Sequence, residues 1–213
     1  MNSYYPVFLE ITGRSCVVIG GGQIAEGKVK HLLECGGQVT FISPNATPNL
    51  QKWASEREII WRKRKYQDGD LKDVFLAIAA TNHIKVNHAI ACEARTQRTL
   101  LNVVDNPRLC GFIAPSIVRR GQVTLAISTG GASPALARKL REKLESSELL
   151  QLAELAPLLS EARKEIKSRK LQICPDRWQS CINTDLLQLV HSGRETEALE
   201  FLLRNLSSNE EPS

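Results

Sequence analysis

The chain has 213 residues, enough to bury a core of its own and consistent with one domain plus an appendage or with two small domains. With 42% hydrophobic and 24% charged residues its composition is globular, which excludes disorder, collagen-like repeats and a disulfide scaffold. A net charge of +5 favours an anionic partner, and no apolar run approaches the ~20 residues needed to cross a bilayer.

The first residues carry no basic stretch followed by an apolar one, so no leader is expected and the cytoplasm is the expected location. From residue 15 to about 105, short β-rich runs alternate with helical patterns, the rhythm of a parallel sheet with crossover helices. The runs are Cys16-Val17-Val18-Ile19, Val39-Thr40-Phe41-Ile42, Ile59-Ile60-Trp61, Leu76-Ala77-Ile78-Ala79-Ala80 and Leu100-Leu101-Asn102-Val103-Val104. Their lack of polar alternation predicts strands buried on both faces. Ile24, Val29, Leu32 and Leu33 recur at helical spacing before Gly36-Gly37, and a second helix fits residues 84–95. The basic run Arg62-Lys63-Arg64-Lys65 reads as a solvated strand end, with too few aromatics around it for a nucleic-acid surface.

After Pro107 the rhythm changes. Phe112-Ile113-Ala114 and Val123-Thr124-Leu125-Ala126-Ile127 are strand-like, and Arg119-Arg120-Gly121-Gln122 between them is a hairpin turn. Ser133-Pro134 opens a helix with Leu136, Leu140 and Leu144 on one face. Beyond residue 148 the chain reads as all helix, over residues 149–168, 179–191 and 194–206.

Gly20-Gly21-Gly22-Gln23-Ile24-Ala25 fits G-x-G-x-x-A between a strand and a helix, where backbone N–H groups can meet a pyrophosphate. The second strand runs into Ser43-Pro44-Asn45, with neither an acid for a ribose hydroxyl nor an arginine for a 2′-phosphate, so spacing leaves NAD and NADP open. Thr81-Asn82 follows the fourth strand and Asp105 the fifth. Both lie on the carboxyl edge where ligands bind, and Asp105 is placed for a general base or for an ordinary turn. Thr129-Gly130-Gly131-Ala132-Ser133-Pro134 offers an anion-binding loop or a capped turn, with Arg119, Arg120, Arg138 and Arg141 near it in sequence. The four histidines and six cysteines have no metal-ligand spacing, so no metal site is expected and the cysteines read as structural thiols.

In this order, these motifs resemble the precorrin-2 dehydrogenase family, the dehydrogenase and ferrochelatase module of siroheme synthases. The likeness covers about residues 6–145, adding Pro6-Val7-Phe8-Leu9, Phe112-Ile113-Ala114-Pro115-Ser116 and Ile127-Ser128-Thr129 through Ala137-Arg138 to the glycine turn. It implies an α/β fold: a Rossmann-type parallel sheet in an NAD-binding domain over residues 1–111, a central hairpin and helix forming a dimerisation segment over 112–147, and an all-helical domain over 148–213. It also implies oxidation of precorrin-2 to sirohydrochlorin with NAD as acceptor and a homodimer, and it leaves iron insertion, with Fe²⁺ as substrate, open as a second activity.

Asp105 matches the catalytic aspartate. Gly20, Gly22, Gln23, Ile24, Pro44, Asn45, Thr81 and Asn82 are the expected cofactor contacts. Thr129, Gly130, Gly131, Ser133 and Arg138 are the expected substrate contacts. Precorrin-2 carries eight carboxylates, which suits a basic chain. The sequence departs from the family at Gly27-Lys28, where Arg-Lys is frequent, and at Thr129, where some relatives carry serine. The chain ends where fused siroheme synthases continue into a methyltransferase, so that activity is expected to be absent. Neither a membrane nor a nucleic-acid partner is expected. The competing reading is a non-catalytic dinucleotide sensor that uses its basic helical tail to contact nucleic acid or a protein.

Overall fold

The computed structural model describes residues 4–207. The chain forms two compact units, the first ending at Ala114 and the second beginning at Pro115. The first unit runs β1 (Ser15–Ile19), α1 (Gln23–Glu34), β2 (Gln38–Ile42), α2 (Pro48–Ser55), β3 (Ile60–Arg62), β4 (Leu76–Ala79), α3 (Ile84–Gln97), β5 (Leu100–Val103) and a short 3-10 turn (Pro107–Leu109). Its strands pair in parallel in the order β3-β2-β1-β4-β5. The order reverses between β1 and β4, and a crevice opens at such a point beyond the carboxyl ends of the strands.

Alternate residues of each strand feed opposite layers, which explains the unbroken apolar runs. Cys16 and Val18 join Ala25, Val29 and Leu32 of α1 on one face, while Val17 and Ile19 join Ile90, Ala91 and Ala94 of α3 on the other. Helix α1 stops where Gly36 takes φ +75° and the N–H groups of Gly36 and Gly37 return to the carbonyls of Leu33 and Leu32.

Helix α2 was not legible from apolar periodicity in so short a segment. Its signal is Thr47-Pro48: the Thr47 hydroxyl accepts the Leu50 N–H and Pro48 occupies the first turn.

No helix joins β3 to β4. Two buried carboxylates hold that connection. Asp70 accepts Arg62 Nη1 at 3.0 Å, Arg64 at 2.6 and 2.7 Å, and the Gln67 N–H at 2.9 Å. Glu93 accepts the N–H groups of Gly69 and Leu71 at 3.0 and 2.8 Å and a hydrogen bond from the Tyr66 hydroxyl. The run is the expected exposed strand end at Arg62, Lys63 and Lys65, and Arg62 and Arg64 have the further part of neutralising Asp70. Lys63 lies over the Trp61 ring at 5.1 Å.

The second unit begins with the hairpin β6 (Ser116–Arg120) and β7 (Val123–Ile127), turning at Gly121. The strand expected over residues 112–114 is displaced to Ser116. Residues 111 and 112 instead cover the open edge of β5, both N–H groups reaching the Leu101 carbonyl at 2.7 and 3.4 Å.

Helix α4 (Pro134–Glu145) follows, with Ser133 as its cap. A 3-10 segment (Glu148–Leu155) leads into α5 (Ala156–Ser168), so the helix expected over 149–168 is not continuous; Pro157 falls in the first turn of α5. The helix expected over 179–191 splits into α6 (Pro175–Cys181) and α7 (Thr184–His191), because Asn183 caps the Leu186 N–H. Helix α8 (Glu195–Ser207) completes a core around Leu155, Leu186, Leu202 and Leu206. The hairpin and α4 add only Val118 and Ala137 to the buried apolar residues.

Candidate active site

The carboxyl edge of the parallel sheet gathers four sequence-predicted segments, one after each of the adjacent strands β2, β1, β4 and β5. Ladder bonds extend past the strand ends to fix them: Gly20 N–H reaches the Ile42 carbonyl at 3.0 Å, Ala80 N–H that of Ile19 at 2.8 Å, and Val104 N–H that of Ala79 at 2.9 Å.

The glycine turn fits a dinucleotide for steric reasons that differ at each position. Gly20 has φ +128°, and a Cβ there would stand 2.3 Å from the Ala80 carbonyl oxygen. A Cβ on Gly21 would stand 2.0 Å from the Asn45 carbonyl oxygen and 2.8 Å from Ser43 Oγ. Nothing lies within 4 Å of a Cβ on Gly22, which caps α1 without a side-chain hydrogen bond. Gly20 and Gly21 therefore serve close packing of the chain on itself, whereas Gly22 faces open space at a helix N-terminus. A pyrophosphate fits that cradle. Sequence reasoning left Gly21 as the free position of the motif; its signal was a glycine at the x of G-x-G, the middle of three in a row.

The segment after β2 is held against this turn. Thr47 N–H donates to the Gly21 carbonyl at 3.1 Å, Trp61 Nε1 donates to the Ser43 carbonyl at 2.9 Å, and the Asn49 amide donates to Glu26 at 2.8 Å. The Asn49 and Thr47 side chains hold the Glu26 carboxyl below the usual carboxylate range. Pro44 and Asn45 are left exposed beside the turn, as are Gln23 and Ile24. Thr81 and Asn82 lie past β4, where the Thr81 hydroxyl accepts the His83 N–H at 3.0 Å and the buried Asn87 amide donates to the Thr81 carbonyl at 3.0 Å. Sequence reasoning missed Asn87, whose only signal was a polar residue on the apolar face of its helix.

Asp105 stands two residues past β5 in a turn closed by the Asn106 N–H on the Val103 carbonyl at 3.1 Å. It is exposed and has φ +59°, a left-handed conformation that Asp and Asn tolerate better than most residues. Among the described residues no group of three or more His, Cys, Asp or Glu side chains is placed to hold a metal ion, and the cysteines are free thiols. Burial, with Cys35 nearby, pushes the Cys16 thiol up to about 11.

In the second unit the Thr129 loop is internally bonded. The Thr129 hydroxyl accepts the Ser133 N–H at 3.0 Å and donates to the Ser133 carbonyl at 3.1 Å, while Ser133 Oγ accepts the Leu136 N–H at 3.2 Å. Gly130 and Gly131 take φ +62° and +87°. Arg138 and Arg141 pair along α4 with Glu142 and Glu145. Such exposed pairs are weak and leave a guanidinium free to exchange partners.

Residues 7–116 match the family described as "Putative NAD(P)-binding", and residues 120–147 match the one described as "Sirohaem biosynthesis protein central". The siroheme synthase of Nitrosospira multiformis is 39% identical over 99% of this chain and 46% of that protein, and siroheme synthase 1 of Klebsiella pneumoniae is 37% identical over 97% and 44%. The chain spans less than half the length of these curated relatives. A solved structure named SirC, precorrin-2 dehydrogenase, superposes with a TM-score of 0.74 at 27% identity, covering 93% of this chain and 100% of that one. The reversal of strand order between β1 and β4, the open cradle at Gly22 and the match over residues 7–116 agree, and the chain belongs to this NAD(P)-binding family.

Proposed function

We propose that the chain is an NAD-dependent dehydrogenase that oxidises precorrin-2 to sirohydrochlorin in siroheme biosynthesis. The observation that carries this reading is the shared edge: the cradle, the Thr81-Asn82 segment and Asp105 follow the adjacent strands β1, β4 and β5 at their carboxyl ends. The likeness to a precorrin-2 dehydrogenase over that protein's entire length, and to siroheme synthases over nearly all of this chain, supports the substrate.

The balance is precorrin-2 + NAD⁺ → sirohydrochlorin + NADH + H⁺. NAD, when bound, supplies the hydride acceptor. Gly22 and the first turn of α1 hold the pyrophosphate, with Gly20, Gln23, Ile24, Pro44, Asn45, Thr81 and Asn82 around the rest of the cofactor. Asp105 takes the ring proton that leaves with oxidation. Thr129, Gly130, Gly131, Ser133 and Arg138 bind substrate carboxylates through loop amides and the guanidinium. NAD is favoured over NADP because the tip of β2 carries no cation, and Arg62 at the end of the neighbouring strand β3 and Arg64 just beyond it pair with Asp70.

The chain acts as a homodimer through the 112–147 segment. Support comes from Ile117, Leu136 and Leu140, which are 39%, 51% and 41% exposed on a hairpin and helix with little core of their own. The reaction belongs to the cytoplasm; among the described residues no helix is long and apolar enough to cross a membrane.

Turnover with precorrin-2 and NAD⁺ tests the proposal, with NADH absorbance as the signal and an Asp105→Asn variant as control. NADH formation that falls at least a hundredfold in the variant is expected. Dinucleotide binding without turnover would replace this reading with the sensor. Sirohydrochlorin plus Fe²⁺ in the same series tests iron insertion.

A further inference from the structure

Asp105 has no hydrogen-bond or ion-pair partner for its carboxylate among the described residues, so the backbone of its turn sets where that carboxylate lies. The turn spans Val103 to Asn106 at the end of the edge strand β5; the sheet holds its near side, where the Val104 N–H donates to the Ala79 carbonyl at 2.9 Å, and no ladder bond reaches Asp105 or Asn106. Cys110 holds the far side. Its Sγ accepts the Val103 N–H at 3.1 Å, on the side of β5 that pairs with no strand. The same sulfur lies 3.3 Å from the Val103 carbonyl and 3.3 Å from the Asn106 carbonyl, either of which takes its single proton. Asn102 Nδ2 approaches it at 3.7 Å while donating to the Phe112 carbonyl at 3.0 Å. One thiol thus ties the last residue of β5 to the far side of the Asp105 turn.

We infer that Cys110 is the positioning residue of Asp105: a neutral thiol that straps the catalytic turn to the edge of the sheet. The inference rests on the reading of Asp105 as the base. Burial pushes the Cys110 thiol up, against the lowering effect of the Val103 N–H, so the sulfur keeps the proton it donates. The role needs an atom that both accepts and donates at the end of a short side chain, which serine supplies and valine does not. Because Asp105 is held only by its backbone, a turn released by an ångström misplaces the base, and misplacement of that order costs on the order of a hundredfold in rate.

Cys110→Ser, Cys110→Val and Asp105→Asn are to be compared for kcat, for KM of precorrin-2, and for NADH affinity by fluorescence titration. The expected pattern is Cys110→Ser within about threefold of wild type, and Cys110→Val, which fills the same space, lowered in kcat by about ten- to a hundredfold. KM and NADH affinity should stay within about twofold in both, since the glycine cradle lies on another strand. Wild-type kcat in Cys110→Val beside an inactive Asp105→Asn would overturn the strap and leave the Asp105 reading standing. Loss of NADH affinity in parallel with kcat would also overturn it, as general damage to the unit. Wild-type kcat in Asp105→Asn would instead remove the base on which the inference stands. Should Cys110→Val fail to fold, amide exchange on the unmodified protein decides: the Val103 N–H is expected to be slow, and rapid exchange there is incompatible with the strap.

Discussion

At the scale of single residues, Gly21 and Gly22 give opposite outcomes for the same substitution. Gly21→Ala places a methyl 2.0 Å from the Asn45 carbonyl oxygen, so one of two tightly packed segments must shift. A loss of about 1–3 kcal/mol in denaturant unfolding is expected, as for overpacking elsewhere. Gly22→Ala meets no protein atom and should leave that curve unchanged, while its methyl enters the pyrophosphate space and weakens NADH binding at least tenfold. Fluorescence titration and urea unfolding on both variants separate the cradle from the packing. The motif marked the turn in the sequence but not this division of labour, because which glycine touches Asn45 depends on a segment twenty-odd residues away.

At the scale of elements, the connection from β3 to β4 depends on the charge of Asp70. Burial raises its pKa, but Arg64, the Gln67 N–H and Arg62 together outweigh burial and hold it below the ordinary 3.8. A carboxyl with a depressed folded value adds stability that is fully present above about 3.8 and is lost as pH falls through the folded value. Asp70→Asn leaves two guanidinium groups without their anion, and a loss of about 2–4 kcal/mol at pH 7 is expected. The deficit should narrow as pH falls below about 3.8 toward the depressed folded value, as the unfolded chain and then the folded one take up the proton. Thermal melts of both proteins from pH 7 to pH 3 test the convergence; parallel curves would mean that Asp70 contributes through shape and not charge. The sequence displayed the four basic residues but not the acid that two of them serve, since Asp70 is an ordinary loop residue until the chain folds it beneath them.

At the scale of the whole molecule, α4 exposes Leu136 and Leu140 on one helical face, while the hairpin and α4 together bury only Val118 and Ala137. Leu136→Asp with Leu140→Asp puts two charges on that face. The proposed dimer should then dissociate to monomer in light scattering at micromolar concentration, with the helical content retained in circular dichroism. A variant that stays dimeric would move the interface elsewhere.

What the sequence by itself determined is the local chemistry of the first unit: five apolar runs, a glycine turn between a strand and a helix, and an Asp after the fifth run. These follow from period, punctuation and backbone sterics, which act over a few residues. The resemblance extended that reading to a substrate. Only the tertiary structure decided the strand order that brings Gly22, Thr81 and Asp105 to one edge, the breaks at Leu155 and Asn183, and the partners of Asp70, Glu93 and Cys110. The reason is physical. Those features depend on which distant backbone groups lie within hydrogen-bond reach, a distance of about 3 Å that no sequence spacing encodes.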